Sequence, residues 1–115
     1  MDRMELMEVN GAYPTPEEVA AELPNFIARA QEIVVKEFER QGFSVPPTLV
    51  IAGGRKYIKV SKVDGRNGGQ SVYCFVRAVD GAILKPATWK APALNFTRGN
   101  IFDAVLPVGA FGVHY

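Results

Sequence analysis

The chain has 115 residues, of which 48% are hydrophobic and 22% charged, and its net charge is +1. These values are typical of one globular domain with an ordinary core, so they exclude a disordered chain and a multidomain protein. No apolar run approaches the ~20 residues of a membrane span, and the N-terminal residues lack the apolar segment of a secretory signal. We therefore expect a cytoplasmic protein that is not inserted in a membrane.

The charge is divided unevenly along the chain. Residues 1–44 contain four Lys or Arg and nine acids, whereas residues 45–115 contain nine Lys or Arg and three Asp. This division indicates either a basic binding face backed by an acidic one, or a solvated helix beside a solvated sheet.

Residues 1–14 have no clear period, and we expect them to form an arm outside a single domain of residues 15–115. Thr15, Pro16 and Glu18 mark the start of a helix. Thr15 and Glu18 have the spacing of a capping box, and Pro16 suits the first helical position because its missing N–H costs nothing there.

Pro24 predicts a break in the helical region, since the residue before a proline disfavours the helical conformation. The pattern predicts a short helix ending near Glu22 and a longer one from Pro24 to about Gln41. The longer segment has apolar residues at helical spacing. They are Phe26, Ile27, Ala30, Ile33, Val34 and Phe38. We expect Phe26, Ile33, Val34 and Phe38 to be buried against a sheet.

The end of the helical region is marked by Gly42 and Phe43. Gly42 suits the left-handed position after a helix, and Phe43 is then placed to contact Phe38, as in a Schellman motif. Pro46 and Pro47 prevent any continuation of the helix.

The following region reads as a series of short strands rich in β-branched and aromatic residues and separated by glycine turns. The predicted strands are Thr48–Ala52, Arg55–Val63, Ser71–Val79 and Ala82–Lys85. Gly53 and Gly54 predict a tight turn or a bulge, and Asp80-Gly81 predicts a two-residue type I′ hairpin. After Lys85 the chain is irregular, and its apolar tail predicts one or two short strands or packed loops.

These elements predict an α+β domain, in which the N-terminal helices pack on one face of an antiparallel β-meander of three to five strands.

The loop between the second and third strands decides which side chains share a face, because a slip of one residue exchanges the two faces. An odd effective loop gives a core face of Ile58, Val60, Val72, Cys74 and Val76, with Tyr57, Lys59, Tyr73, Phe75 and Arg77 opposite. An even loop instead buries Tyr73 and Phe75 with Ile58 and Val60. We favour the odd loop, because it places no Lys among aliphatic side chains. The Asp80-Gly81 hairpin places Leu84 beside the aromatic set, which favours a second layer or a partner subunit over that face.

Aromatic and basic side chains alternate on these strands, a pattern typical of single-stranded nucleic-acid binding. The stacking candidates are Tyr57, Tyr73, Phe75 and Trp89, and the backbone-binding candidates are Lys59, Arg66, Arg77 and Lys90. The order of elements differs from that of an RNA-recognition sheet, which has a helix between its first two strands. Aromatic residues that only pack within the protein, or that form a protein interface, are the alternatives.

No pattern in the sequence indicates catalysis, a cofactor or a metal. Cys74 is the single cysteine and lies inside a predicted strand, where a free cysteine behaves as a small buried hydrophobe. The single histidine, His114, is next to last in the chain. Glu17, Glu18 and Glu22 are explained by helix capping and the helix dipole. We therefore expect a protein that is not an enzyme and that holds neither cofactor nor metal.

One block of the sequence resembles a known group of proteins. The runs Ser71–Val76, Lys85–Ala87, Trp89–Pro92 and Arg98–Asp103, with Gly81 and Ile83, resemble a family of small uncharacterised proteins of bacteriophages and marine environmental samples. The resemblance covers Arg55 to Asp103. It implies a phage-related origin, with host cytoplasm or the virion as location, and it assigns no residue a role.

Taken together, these observations predict a non-enzymatic, phage-related binding or assembly protein with a homo-oligomer or other protein interface. The alternative is a single-stranded nucleic-acid-binding domain that uses the aromatic and basic face.

Overall fold

The structure, a computed structural model, describes residues 14–94 and 97–114 of the chain. One helix, α1 (Pro16–Arg40), precedes five strands. They are β1 (Thr48–Gly53), β2 (Tyr57–Val63), β3 (Gln70–Arg77), β4 (Ala82–Leu84) and β5 (Gly99–Asn100). The predicted arm of residues 1–14 lies almost wholly outside the described residues.

The five strands form one antiparallel sheet in the order β1-β2-β3-β4-β5, so each strand pairs with its neighbour in sequence. The predicted α+β class is therefore confirmed. β1 is an edge of this sheet, with β2 as its partner.

Helix α1 begins as the sequence predicts. The Thr15 hydroxyl accepts the Glu18 N–H at 3.2 Å, and the Glu18 carboxylate accepts the Thr15 N–H at 3.3 Å, which completes the capping box. The predicted break at Pro24 is wrong, because Pro24 lies inside one continuous helix. Apolar residues on both sides of Pro24, Leu23 and Phe26 among them, face the same core, and their burial keeps the helix continuous.

Helix α1 ends in the predicted Schellman motif. The Phe43 N–H donates to the Phe38 carbonyl at 2.8 Å and the Gly42 N–H to the Glu39 carbonyl at 3.1 Å. Gly42 has φ of 78°, which an L side chain adopts only with strain. The rings of Phe38 and Phe43 lie edge to face with centroids 5.2 Å apart.

The core lies between α1, one face of the sheet and the tail. Phe26 and Val34 are fully buried in it, as predicted, whereas Ile33 and Phe38 are only partly buried against it. Arg29 binds the tail to α1, since its guanidinium donates to the Asp103 and Ala104 carbonyls at 2.7 and 2.9 Å.

The register of β2 and β3 confirms the odd-loop alternative over most of its length. Ile58 pairs with Val76 and Val60 with Cys74, so these four side chains face the core. A bulge then shifts the register between Val60 and Ser61. The bulge moves Tyr73 from the predicted outer face into the core, and it pairs Val72 with Ser61 instead of placing Val72 with the core set.

The turn at Asp80-Gly81 differs from the predicted type I′ turn. That turn requires positive φ at both central residues, but among the described residues only glycines have positive φ, here Gly81. The register places Ile83 opposite Val76, which leaves a four-residue loop, and the Gly81 N–H donates to the Arg77 carbonyl at 2.8 Å. The Asp80 carboxylate accepts the Ala82 N–H at 3.1 Å and thereby holds the wider loop.

Two alternatives from the sequence analysis are resolved by the structure: the bulge after β1 and the packed loops of the tail. A register shift between Ile51 and Gly53 is the predicted bulge, and a Cβ atom on Gly54 would lie 2.1 Å from the Tyr57 carbonyl oxygen. The tail packs as loops closed by a bridge between Val108 and Val113. Within residues 14–94 and 97–114, no helix combines the length and apolar character required to cross a membrane.

Candidate interaction surfaces

The face of the sheet opposite α1 brings together four of the residues predicted to bind nucleic acid. Tyr57 pairs with Arg77 and Lys59 with Phe75, and these side chains alternate with the core-facing ones. Phe75 also pairs with Leu84 of β4, as the hairpin predicted. We call this set, with Leu84, the outer face.

The outer face is covered by the chain itself. Phe75 and Leu84 are each only 2% exposed. The Lys59 ammonium lies 4.1 Å from the centroid of the Trp89 ring, so the segment after β4 folds back over the sheet. A bridge between Pro86 and Pro92 closes this segment, residues 85–94, into a compact loop. The Phe75 ring is therefore not accessible for stacking a base, and the cover is a second layer of the same chain, one of the two covers that the sequence favoured.

Tyr73 is also not accessible for stacking. Its side chain is fully buried in the core, and its hydroxyl donates to the Gly109 carbonyl at 2.6 Å. Burial raises the pKa of Tyr73 well above its usual value, so the phenol stays protonated and remains a donor. The placement of Tyr73 on the outer face was wrong because the bulge in β3 turns it inward.

Arg77 forms an ion pair within its own hairpin. Its guanidinium meets the Asp80 carboxylate at 3.0 and 2.7 Å, the two-bond geometry favoured by arginine and carboxylate. Burial acts against the Asp80 carboxylate, but the bonds from Arg77 and the Ala82 N–H outweigh it and hold the pKa of Asp80 below its usual value. Of the two cations on the outer face, Lys59 and Arg77, Arg77 is thus already paired with a carboxylate.

Arg66 and Lys90 lie in two different loops. The Arg66 guanidinium donates to the Ser44 hydroxyl at 3.2 Å, beside the loop that follows α1. Lys90 is exposed in the covering loop, where its N–H donates to the Thr88 hydroxyl. Of the stacking candidates, Trp89 is 46% exposed, with Lys59 and Lys90 beside it, and Tyr57 is partly exposed.

The candidate catalytic groups have structural roles. Cys74 is fully buried, and burial raises the pKa of its thiol, so the reactive thiolate is disfavoured. Glu18 completes the helix cap, and Glu22 accepts a hydrogen bond from Asn25 at 2.6 Å. Among residues 14–94 and 97–114, no three His, Cys, Asp or Glu side chains lie together as metal ligands would.

A groove of about 570 Å³ separates the second half of α1 from the tail. Its wall includes Glu37, Tyr73 and His114. The hydrogen bond from Arg40, then one from Gln41, lower the pKa of Glu37, and the His114 charge adds to the effect. The Glu37 carboxylate is therefore ionised and already bonded to Arg40 and Gln41.

The edge strand β1 is a surface that the nucleic-acid pattern did not indicate. Its sequence, Thr48–Gly53, contains no charged residue, and Ile51 is 47% exposed. Gln31 of α1 holds the start of the strand, since its amide accepts the Leu49 N–H at 2.7 Å and donates to the Pro47 carbonyl at 2.9 Å. The sequence shows that β1 has no charged residue. It contains no pattern that predicts the hydrogen bonds between the Gln31 side chain and the start of β1.

A second exposed apolar surface is an aromatic cluster where α1 meets the tail. Phe38 contacts Phe43 and also Phe111, with centroids 5.9 Å apart in the second pair. Phe43 is 47% and Phe111 59% exposed. The Lys62 ammonium donates to the Phe111 carbonyl at 2.8 Å, which fixes the tip of the tail.

A comparison with protein families gives one match. The model described as Family of unknown function (DUF7717) matches residues 14–106. The chain belongs to this family. Neither curated proteins nor solved structures gave a match.

The DUF7717 match extends over α1 and all five strands. Both β1 and the outer face therefore lie within it, whereas the tail wall of the groove, residues 108–114, lies beyond it. Unknown function agrees with the expectation from the sequence, and the phage-related origin stays a prediction.

Proposed function

We propose that this protein is a non-enzymatic assembly protein that works by associating with other protein chains. The resemblance of residues 55–103 to phage and marine environmental proteins supports a phage-related setting, in the host cytoplasm or the virion.

The observation that carries this proposal is the uncharged, exposed edge of β1. Soluble proteins usually protect a sheet edge with lysine, proline or a covering segment, because an open edge pairs with other strands. Here the strand itself contains neither lysine nor proline. Among the described residues, Gln31 binds its first residues and a bulge interrupts its end, so the backbone groups of Ile51 lie at the open edge between them. An edge of this kind is suited to binding a strand of another chain.

The state of Cys74 supports a role without catalysis. A nucleophilic cysteine needs an accessible thiolate, whereas this thiol is fully buried and its pKa is raised.

Static light scattering over a range of protein concentrations tests the assembly proposal. We expect the mass to rise above the 12.6 kDa of one chain as the concentration increases from about 1 µM to about 1 mM. A mass of one chain over the whole range, in low and in moderate salt, contradicts self-assembly.

Single-stranded nucleic-acid binding is the second candidate, and one observation favours it. Trp89 is half-exposed, with Lys59 over its ring and Lys90 next to it, a combination that single-strand binders use. Fluorescence anisotropy of a labelled oligonucleotide tests it. Binding that falls steeply with salt, and that weakens by ~1–3 kcal/mol in Trp89→Ala, supports this candidate, and no binding at low salt excludes it.

A further inference from the structure

We infer that β1 pairs with β1 of a second copy, antiparallel across a two-fold axis, so that the two sheets join into one. The inference rests on the proposed assembly function and names its partner.

The open backbone groups follow from the pairing of β1 with β2. In an antiparallel pair, alternate residues direct N–H and C=O toward the partner strand and away from it. The Leu49 N–H points away from β2, since it donates to Gln31. The backbone N–H and C=O of Ile51, two residues later, therefore also point away from β2. They lie at the open edge beside the Leu49 carbonyl.

These groups match a second copy in one register. With Ile51 opposite Ile51 of the second copy, each Ile51 N–H donates to the other Ile51 carbonyl, and the bulge between Ile51 and Gly53 ends the regular pairing beyond this point. A two-fold axis at Val50 would instead require the Leu49 N–H, which Gln31 already holds at 2.7 Å. The hydrogen bond between the Leu49 N–H and Gln31 therefore favours the pairing centred on Ile51 over the pairing centred on Val50.

The charges of the edge favour a second copy as the partner. A charged residue near the axis would lie close to its own equivalent, which is unfavourable, and β1 has none. Arg55 and Lys56 follow the strand, while Asp64 adjoins its other end, next to the pair Thr48 and Val63. Antiparallel pairing brings the basic end of one copy to the acidic end of the other, which is electrostatically complementary.

The flank of α1 above this edge supplies further contact area. Pro24, Ala28 and Val35 lie seven, three and four positions from Gln31, so they share its side of the helix. Pro24 and Ala28 are exposed, Val35 is partly buried, and none is charged. The ion pair of Glu32 and Lys36 borders this flank, because Glu32 lies four positions after Ala28. Small uncharged residues allow the two α1 helices of a dimer to approach each other. Stable interfaces bury about 1,000 Å² or more, which exceeds the area that one pair of short strands covers, so this helix contact would supply the additional area.

The aromatic cluster of Phe38, Phe43 and Phe111 is the weaker choice for this contact. Its rings already pack on each other, and Lys62 binds the Phe111 carbonyl. The outward groups of Ile51 receive no such contact from the other described strands.

Substitutions at the edge test the inference by light scattering. We expect the wild-type chain to reach twice the mass of one chain, and Ile51→Lys and Ala28→Glu to keep the mass of one chain at the same concentration. Val105→Lys is the matched control, because Val105 is 86% exposed on the tail, and it should associate like the wild type. Circular dichroism of each variant verifies that the fold is intact.

A cysteine at the axis tests the register directly. Opposed residues of a hydrogen-bonded antiparallel pair have Cα atoms about 5.5 Å apart, within the range of a disulfide. Ile51→Cys should therefore form a covalent dimer on mild oxidation much faster than Val79→Cys, whose position is also exposed but lies in the loop between β3 and β4. The natural Cys74 is buried and should not react.

The outcomes separate this inference from the proposed function. If the wild type associates but Ile51→Lys associates equally, or Ile51→Cys cross-links no faster than Val79→Cys, pairing through β1 is wrong and the assembly function stands. Loss of association in Phe111→Lys alone would then move the contact to the aromatic cluster. If the wild type shows the mass of one chain at every concentration, pairing through β1 and self-assembly both fail.

Discussion

The Tyr73 hydroxyl is a polar group inside the core, and its hydrogen bond to the Gly109 carbonyl joins β3 to the tail. Tyr73→Phe removes the donor, leaves a poorly solvated acceptor, and should lower the free energy of unfolding by about 1–2 kcal/mol. Urea denaturation measures the change. Tyr57→Phe is the control, since Tyr57 is partly exposed on the outer face, and it should change stability by less than about 0.5 kcal/mol. Equal effects of the two would show that the bond to Gly109 contributes nothing.

Asp80 should make the stability of the β3–β4 hairpin depend on pH. Its pKa in the folded chain is lowered, so its contribution is complete above the pKa of the unfolded chain and is lost as the pH falls toward the folded value. Between about pH 6 and about pH 3, wild type should lose more stability than Asp80→Asn, because only wild type protonates the group bound to Arg77. Thermal unfolding across this range measures the difference. Parallel curves for the two proteins would contradict the role of the ion pair.

At the scale of the elements, α1 depends on burial to continue through Pro24. Pro24 removes one helical hydrogen bond and its ring crowds the preceding turn, a cost of about 3 kcal/mol in a helix interior. Since Pro24 is exposed and packs in no core, Pro24→Ala should raise the free energy of unfolding by about 1–3 kcal/mol. Pro16→Ala is the matched control, because Pro16 occupies the first turn, where a proline costs little. Denaturation at a concentration at which the chain is monomeric gives both values, and a destabilised Pro24→Ala would refute the argument.

Local signals in the sequence predicted those features that depend on neighbouring residues. The capping box of Thr15 and Glu18, the Schellman end at Gly42 and the strand positions all follow from short-range patterns. Pro24 was misread because a local rule was applied where the burial of Leu23 and Phe26 on both sides prevails. The inward turn of Tyr73 was not predictable, since the bulge that causes it has no glycine or other local mark.

The same limit applies to the candidate surfaces. Alternation in β2 and β3 placed Lys59, Phe75 and Arg77 on one face, and the register confirms this. The loop that covers this face has no periodic pattern, so its path over Lys59 was not predictable from the sequence. The edge position of β1 also depends on the whole sheet, because the order of the described strands shows that β2 is the one strand among them that pairs with β1.

At the scale of the whole molecule, the sheet is a middle layer with α1 on one face and the loop of residues 85–94 on the other. The burial of Phe75 and Leu84, at 2% exposure each, is the sign of this second layer. A sheet covered on both faces leaves its edges as the places where a further chain can add to it. The covering loop is therefore also an argument for association through β1, because it removes the broad outer face from the available surface.

Leu84→Ala tests whether the loop seals the outer face in solution. If it does, the substitution opens a cavity in a packed layer and should lower the free energy of unfolding by about 2–5 kcal/mol. Leu94→Ala is the control, because Leu94 is 65% exposed, and its effect should be under about 0.5 kcal/mol. Urea denaturation followed by Trp89 fluorescence measures both changes with a probe in the covering loop itself. If Leu84→Ala is as mild as Leu94→Ala, the loop does not cover the outer face in solution, and the Phe75 ring again becomes a candidate for stacking a base.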